Sequence, residues 1–305
     1  MKTLRALWAL VLASGLIAGG PPGRAAGQTS ADCDSLCVAA AELVQRFELR
    51  EGAAPARERA GWQRPKKIVV ADVALADYLR TIVPEVEIVG VAGLRNYSGM
   101  ADAVVGADVL VGLCTPEIVA RGTSLKWVQL LNAGADSCAT IPAVAERGLL
   151  VTNLQRIQGP HMAEHAIALT LSLARALPVY AVEQHDGAFT RGFRETRGER
   201  PIELEGKTLL VVGLGGIGTE VAKRAHGLGL HVIATRNSRR EGPDYVEYVG
   251  LADEYRALAA RADVVVNSTP LTPETRGMFD AQFFAAMKDD AFFINIGRGE
   301  SVVTA

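Results

Sequence analysis

The stretch Gly213-Leu214-Gly215-Gly216-Ile217-Gly218 fits the pattern G-x-G-x-x-G. It stands between an apolar run, Thr208 to Val212, that reads as a strand and a segment, Ile217 to Leu228, that reads as a helix. That context separates a phosphate-binding turn from an ordinary glycine-rich one. In such a turn Gly213 permits the tight bend. Gly215 lets the backbone approach a pyrophosphate without a Cβ clash, and Gly218 lets the helix pack close to the strand. The free N–H groups of the helix start then face the phosphates, with Gly216 and Ile217 as its first residues.

The end of the following strand chooses between dinucleotides. An NAD site places a carboxylate there, about 20 residues on, to bind the ribose 2′-hydroxyl. Here the chain reads Thr235-Arg236-Asn237-Ser238-Arg239-Arg240, and no carboxylate comes before Glu241. Arg236, with Asn237 and with Arg239 or Arg240 behind it, suits the dianionic 2′-phosphate of NADP. NAD remains the second possibility, and a solvated basic turn is the competing reading.

These groups need a scaffold. The chain has 305 residues, 49% hydrophobic and 22% charged, with a net charge of −2. This is the composition of a folded globular protein of about two domains. The balance of charge gives no bulk attraction to nucleic acid or to an acidic membrane. From Lys66 onward short apolar runs alternate with helical patterns: 68–71, 86–91, 108–113, 126–131 and 149–152, then 208–212, 230–235, 264–267 and 292–296. Apolar runs of this kind between helices are strands buried on both faces of a parallel sheet. The fold class is therefore α/β. A long helix is expected over His161 to Ala176, stopped by Pro178, with Met162, Ala166, Leu169, Leu173 and Leu177 as its apolar stripe.

In this order the residues resemble the D-isomer-specific 2-hydroxyacid dehydrogenases, the group of glyoxylate/hydroxypyruvate reductases and phosphoglycerate dehydrogenases. The matching stretches are Leu204–Thr208, Ala262–Val266, Thr269–Thr275, Met287-Lys288 and Asn295–Gly299. Before them come Asn132–Asp136, Val151–Asn153 and Met162–His165. The resemblance implies two Rossmann-like domains, a flavodoxin-like substrate domain over 66–160 and a dinucleotide-binding domain over 179–305. A linking helix over 161–178 would join them, with the active site in the cleft. It implies that Arg298 is the catalytic arginine, binding the carboxylate and carbonyl of a small 2-oxo or 2-hydroxy acid. Arginine suits that role because its planar fork pairs bidentately with a carboxylate. The N–H groups around Ala133 and Gly134 would hold the same carboxylate, and Asn153 would line the substrate site. Thr269, Pro270, Thr275, Ile296 and Gly297 would lie along the cofactor. A homodimer is also implied.

The family draws its proton donor, a His paired with an acidic residue, from a segment beyond the arginine motif. The sequence ends at Ala305, so the dinucleotide domain is expected to be truncated, with an open sheet edge at 292–296. That departure keeps a second reading alive: a non-catalytic dinucleotide-binding or sensing module on the same scaffold. None of the five histidines is an evident substitute. His161 and His165 lie four apart, but no third metal ligand accompanies them, and no metal site is expected.

Residues 1–27 read as a secretory signal peptide: Lys2 and Arg5, an uncharged stretch from Ala6 to Ala18, then small residues at Ala25-Ala26-Gly27. The mature chain would have no stable membrane span and would be periplasmic or secreted. The cofactor argues for the cytoplasmic alternative. Residues 28–65 read as a helical preamble and linker. Cys33 and Cys37 lack the further ligands of a metal site, and Cys114 and Cys138 are expected to act as buried small hydrophobes.

Overall fold

The computed structural model describes residues 61–93, 96–187 and 201–304, together with a few isolated positions before them. The signal-like segment, most of the preamble with Cys33 and Cys37, and most of the arginine-rich loop lie outside the described residues. The chain divides into two compact units, with the break between Leu154 and Gln155.

The first unit is a five-stranded parallel sheet. Its strands are β1 (Lys67–Val70), β2 (Glu87–Gly90), β3 (Val109–Gly112), β4 (Trp127–Leu130) and β5 (Leu150–Thr152), in the order β2-β1-β3-β4-β5. This is the flavodoxin-like order. The helices are α1 (Val73–Ile82), α2 (Tyr97–Ala103), α3 (Pro116–Arg121), α4 (Asp136–Ala139) and α5 (Pro142–Glu146). Several starts are dictated locally. The Asp72 carboxylate accepts from Leu75 N at 2.7 Å, and Thr115 Oγ1 accepts from Ile118 N at 3.2 Å ahead of Pro116. Each side chain meets an amide that the helix cannot satisfy itself. Helices α2 and α4 were not expected. Met100 and Ala101 anchor α2, and Cys138 anchors α4, by tertiary burial rather than by a long periodic pattern.

The second unit is also a five-stranded parallel sheet: β6 (Thr208–Val212), β7 (His231–Arg236), β8 (Tyr248–Leu251), β9 (Val264–Asn267) and β10 (Phe292–Asn295), ordered β10-β9-β6-β7-β8. Counted from β6, this is the Rossmann order 3-2-1-4-5. Strands β10 and β8 form its edges. The central strands are buried on both faces, as the apolar runs required: Leu209, Leu210, Val211, Val264, Val265 and Val266 are fully enclosed. Each such side chain contributes about 1.5–3 kcal/mol of burial free energy.

Its helices are α6 (Gly159–Ala174), α7 (Leu177–His185), α8 (Gly216–Gly227), α9 (Tyr255–Ala259) and α10 (Ala281–Ala286). Two expectations about α6 are corrected. Pro178 does not stop it: the helix ends at Ala174, Ala176 turns left-handed at φ 53°, and Pro178 sits in the first turn of α7. Proline is tolerated there because first-turn N–H groups have no intrahelical partner. The buried stripe also differs, being Ala163, Ala166, Thr170 and Ala174, while Leu169 and Leu173 are exposed. Small residues face inward because α6 packs closely on α8. A Cβ placed on Gly159 would come within 3.2 Å of the Gly216 carbonyl.

Candidate functional site

Open parallel sheets bind ligands beyond the strand C-termini, where the winding direction reverses. In the second unit that point lies between β6 and β9. The glycine turn leaves β6 there, and 268–275 leaves β9. Gly213 takes φ 96°, and a Cβ on it would lie 3.2 Å from Thr269 N. Gly218 is enclosed by the Gly213 carbonyl, Ser268 Oγ and Val211, so α8 and β6 can pack only if it has no side chain. Gly215 is the contrast: no atom lies within 4 Å of where its Cβ would be. The protein leaves this space open at the start of α8, as a cradle for a pyrophosphate requires. Ser268, not singled out from sequence, donates from Oγ to the Gly213 carbonyl at 2.7 Å and braces the turn.

Strand β7 brings the basic segment to the turn. Leu214 N donates to the Thr235 carbonyl at 2.7 Å, so Arg236, the last residue of β7, ends the strand beside the glycine loop. Its Nε is buried and makes no hydrogen bond. Burial, then the charges of Arg239 and Arg156, lower its pKa, and Glu241 opposes them. Guanidinium still stays protonated at any ordinary pH. Asn237 and Arg239 are exposed, Arg239 lying 4.0 Å from Glu241. Between the two arginines left open by the sequence, the structure holds Arg240 elsewhere. It pairs with Glu254 at 2.6 Å and donates to Tyr248 Oη at 3.0 Å.

A polar network ties the ends of β9 and β10. Buried Asn267 accepts from Thr269 N and Oγ1 at 3.0 and 2.8 Å through Oδ1. Its Nδ2 donates to Asn295 Oδ1 at 2.9 Å and to Ser301 Oγ at 3.1 Å. Asn295 in turn accepts from Gly297 N at 2.9 Å and donates to the Arg298 carbonyl at 3.0 Å. A Cβ on Gly297 would lie 2.8 Å from Asn267 Nδ2, which explains the glycine. Ile296 N donates to the Asn267 carbonyl at 3.1 Å. Arg298 is thus half-buried on the same sheet end as the glycine turn, two strands over, about 10 Å at ordinary strand spacing. Thr275 Oγ1 donates to the Pro270 carbonyl at 2.6 Å and accepts from Thr272 N at 2.8 Å. Its hydroxyl therefore shapes the 270–275 turn. Asn267 was missed in the sequence, although it ends an unbroken valine run opposite another strand ending in Asn.

In the first unit the expected anion loop follows β4. Asn153 Nδ2 donates to the Ala133 carbonyl at 2.7 Å, and Leu154 N donates to the Asn132 carbonyl at 3.0 Å. Asn153 therefore sets the conformation of the Ala133–Gly134 segment. Behind it, Trp127 Nε1 donates to Thr152 Oγ1 at 2.7 Å, and Thr152 donates to buried Gln129 Oε1 at 2.6 Å. The expectation for the cysteines is corrected. Cys114 and Cys138 are buried, but bonded to each other as a disulfide joining the end of β3 to α4. They lie 24 positions apart, and only the fold brings their Cα atoms to 5.2 Å.

Among the described residues no group of three or more His, Cys, Asp or Glu could hold a metal ion. His161 and His165 are exposed on α6, His226 stacks on Tyr245, and His231 Nδ1 lies 2.5 Å from Glu247. No single described helix is long and apolar enough to cross a membrane. The pair α6–α7, bent by 72°, passes on length and composition alone.

Comparison with known proteins gives a consistent result. Residues 167–305 match the family model described as D-isomer specific 2-hydroxyacid dehydrogenase, NAD binding domain. The chain is 32% identical over 237 residues to D-3-phosphoglycerate dehydrogenase of Methanocaldococcus jannaschii, covering 76% of this chain and 44% of that protein. It is 30% identical over 226 residues to hydroxypyruvate reductase of Thermotoga maritima, covering 74% and 65%. Among solved structures, the TT0316 protein of Thermus thermophilus superposes with a TM-score of 0.63 at 29% identity, covering 78% of this chain and 75% of that one. The chain spans between a third and two thirds of the length of the curated relatives first matched.

Proposed function

The chain belongs to the D-isomer-specific 2-hydroxyacid dehydrogenase family, and from that membership we propose that it transfers a hydride between NADP(H) and a small 2-oxo or D-2-hydroxy acid. The observation that carries the cofactor preference is the basic end of β7. Arg236, with a buried and unbonded Nε, stands beside the glycine turn where an NAD site would have a carboxylate. The residues fit a dinucleotide: Gly215 leaves room for the pyrophosphate, Gly213, Gly216, Ile217 and Gly218 form the turn, and Arg236, Asn237 and Arg239 take the 2′-phosphate. Thr269, Pro270, Ile296 and Gly297 border the same sheet end.

When bound, the nicotinamide supplies or accepts the hydride. The chain's own residues bind and orient. Arg298 pairs with the substrate carboxylate through a bidentate fork. Its backbone is fixed by Asn295 and Ser301, which donate to its carbonyl at 3.0 and 2.6 Å. In the first unit Ala133 and Gly134 offer N–H groups to a carboxylate, with Asn153 holding the loop.

Calorimetric titration with NADP⁺ and NAD⁺, then an assay of glyoxylate and hydroxypyruvate with NADPH, tests the reading. We expect tighter binding of NADP⁺, and a loss of about tenfold or more for R236A on that ligand alone. Equal binding of both dinucleotides removes the NADP preference, and binding of neither removes the reading. Binding with no turnover by the full-length protein selects the non-catalytic sensing module instead.

The exposed Leu169, Leu173, Leu177, Tyr180 and Val182 on α6 and α7 support a homodimer through this face. L173D should then lower the sedimentation mass. The buried Cys114–Cys138 disulfide supports a periplasmic or secreted mature chain lacking residues 1–27, since such bonds persist in oxidising compartments. Amino-terminal sequencing of the exported protein checks it, and an intact Met1 would overturn it.

A further inference from the structure

Arg156 belongs to none of the motifs singled out from the sequence. It lies just ahead of α6, where Gly159 N donates to its carbonyl at 2.9 Å. Its φ is 71°, and among the described residues only Ala176 shares a positive φ without being glycine. The residue is pressed against the dinucleotide turn. A Cβ placed on Gly216 would lie 2.8 Å from Arg156 Cγ and 3.1 Å from its Cα. The stem of Arg156 thus occupies the place where a side chain at 216 would begin, at the first residue of α8. An arginine stem is delivered from a neighbouring segment to the start of the helix that receives phosphate.

A second observation gives its direction. The charge of Arg156 acts on Arg236, the last residue of β7. Arg239 acts on the same group, and Glu241 opposes them. Positive charges thus converge on Arg236 beside the glycine turn, the place where the fold receives a multiply charged anion.

We propose that Arg156 is a phosphate ligand of the dinucleotide site, its guanidinium reaching across Gly216 to the phosphates that Arg236 and the start of α8 also receive. The inference rests on the dinucleotide reading above and adds a residue to it. The shared chemistry is phosphate, and the dinucleotide offers two sources, the pyrophosphate and the 2′-phosphate.

The variants R156G and R156K, with the wild type, are titrated with NADP⁺, NAD⁺ and 2′,5′-ADP, and their melting temperatures are compared. Glycine accepts φ 71° freely, so R156G should melt no lower than the wild type. Its affinity should nevertheless fall by about tenfold, with R156K between the two. A loss shared by NADP⁺ and NAD⁺ assigns Arg156 to the pyrophosphate. A loss confined to NADP⁺ and 2′,5′-ADP assigns it to the 2′-phosphate. If the wild type binds NADP⁺ and R156G binds every ligand within about twofold of it, Arg156 only packs on Gly216 and the proposal falls alone. If the wild type binds none of them, the dinucleotide reading falls and takes this inference with it.

Discussion

Asn267 donates from Nδ2 to Asn295 Oδ1 at 2.9 Å, joining the C-terminal ends of β9 and β10 where the two residues face each other in register. Through this bond the position of Thr269 on one loop depends on that of Gly297 and Arg298 on the next. The replacement N267A leaves half-buried Thr269 N without its acceptor and removes one of the two donors to exposed Asn295 Oδ1, which keeps Gly297 N. An unsatisfied buried group costs about 1–3 kcal/mol. Urea denaturation should therefore show a loss of about 1–3 kcal/mol. Dinucleotide affinity should fall as well, because Thr269 abuts Gly213.

The glycine turn separates packing from ligand space. In G218A the new methyl meets the Gly213 carbonyl, Ser268 Oγ and Val211, so the variant should lose about 1–3 kcal/mol and bind dinucleotide poorly. In G215A the methyl meets no protein atom within 4 Å. Its melting temperature should stay near that of the wild type while dinucleotide affinity drops. Normal binding by G215A would show that the phosphates lie elsewhere.

The Cys114–Cys138 disulfide closes a loop of 24 positions. The chain-entropy relation assigns such a bridge about 3–4 kcal/mol. Double replacement C114A/C138A, or reduction with a dithiol, should lower the urea midpoint accordingly, and the second unit's dinucleotide titration should not change. An unchanged midpoint would show that burial of the two side chains, rather than their bond, carries the stability.

Glu254 offers a pH prediction. Hydrogen bonds from Tyr248 Oη and Leu251 N, then the pair with Arg240, pull its pKa from 4.5 to about 2. A carboxylate with a depressed folded-state pKa contributes stability above its unfolded value, and that contribution is lost as pH falls toward the folded one. Stability measured between about pH 5 and pH 2 should therefore decline less in E254Q than in the wild type. Parallel declines would mean that Glu254 gains nothing from these partners in solution.

Much of this protein was written locally. The alternation of apolar runs and helical segments specified two parallel sheets, because only strands covered on both faces can be so continuously apolar. The glycine spacing located the turn between β6 and α8, because the glycines answer steric demands of their own: a positive φ at 213 and helix packing at 218, with open space at 215. The basic strand end was equally legible, since type and position alone distinguish Arg236 from a carboxylate.

Other features exist only once distant segments meet. Nothing in the spacing of Cys114 and Cys138 announces a bond. The choice of Arg239 over Arg240 beside Arg236 depends on Glu254 arriving from beyond β8 to hold Arg240. The inward stripe of α6 is made of small residues instead of leucines because α8 approaches too closely for larger ones. Asn267 and Arg156 are ordinary letters in the chain. They become a strand-to-strand tie and a side chain packed on the glycine turn because hydrogen bonds and steric contacts act over a few ångströms of space, whatever the distance in sequence.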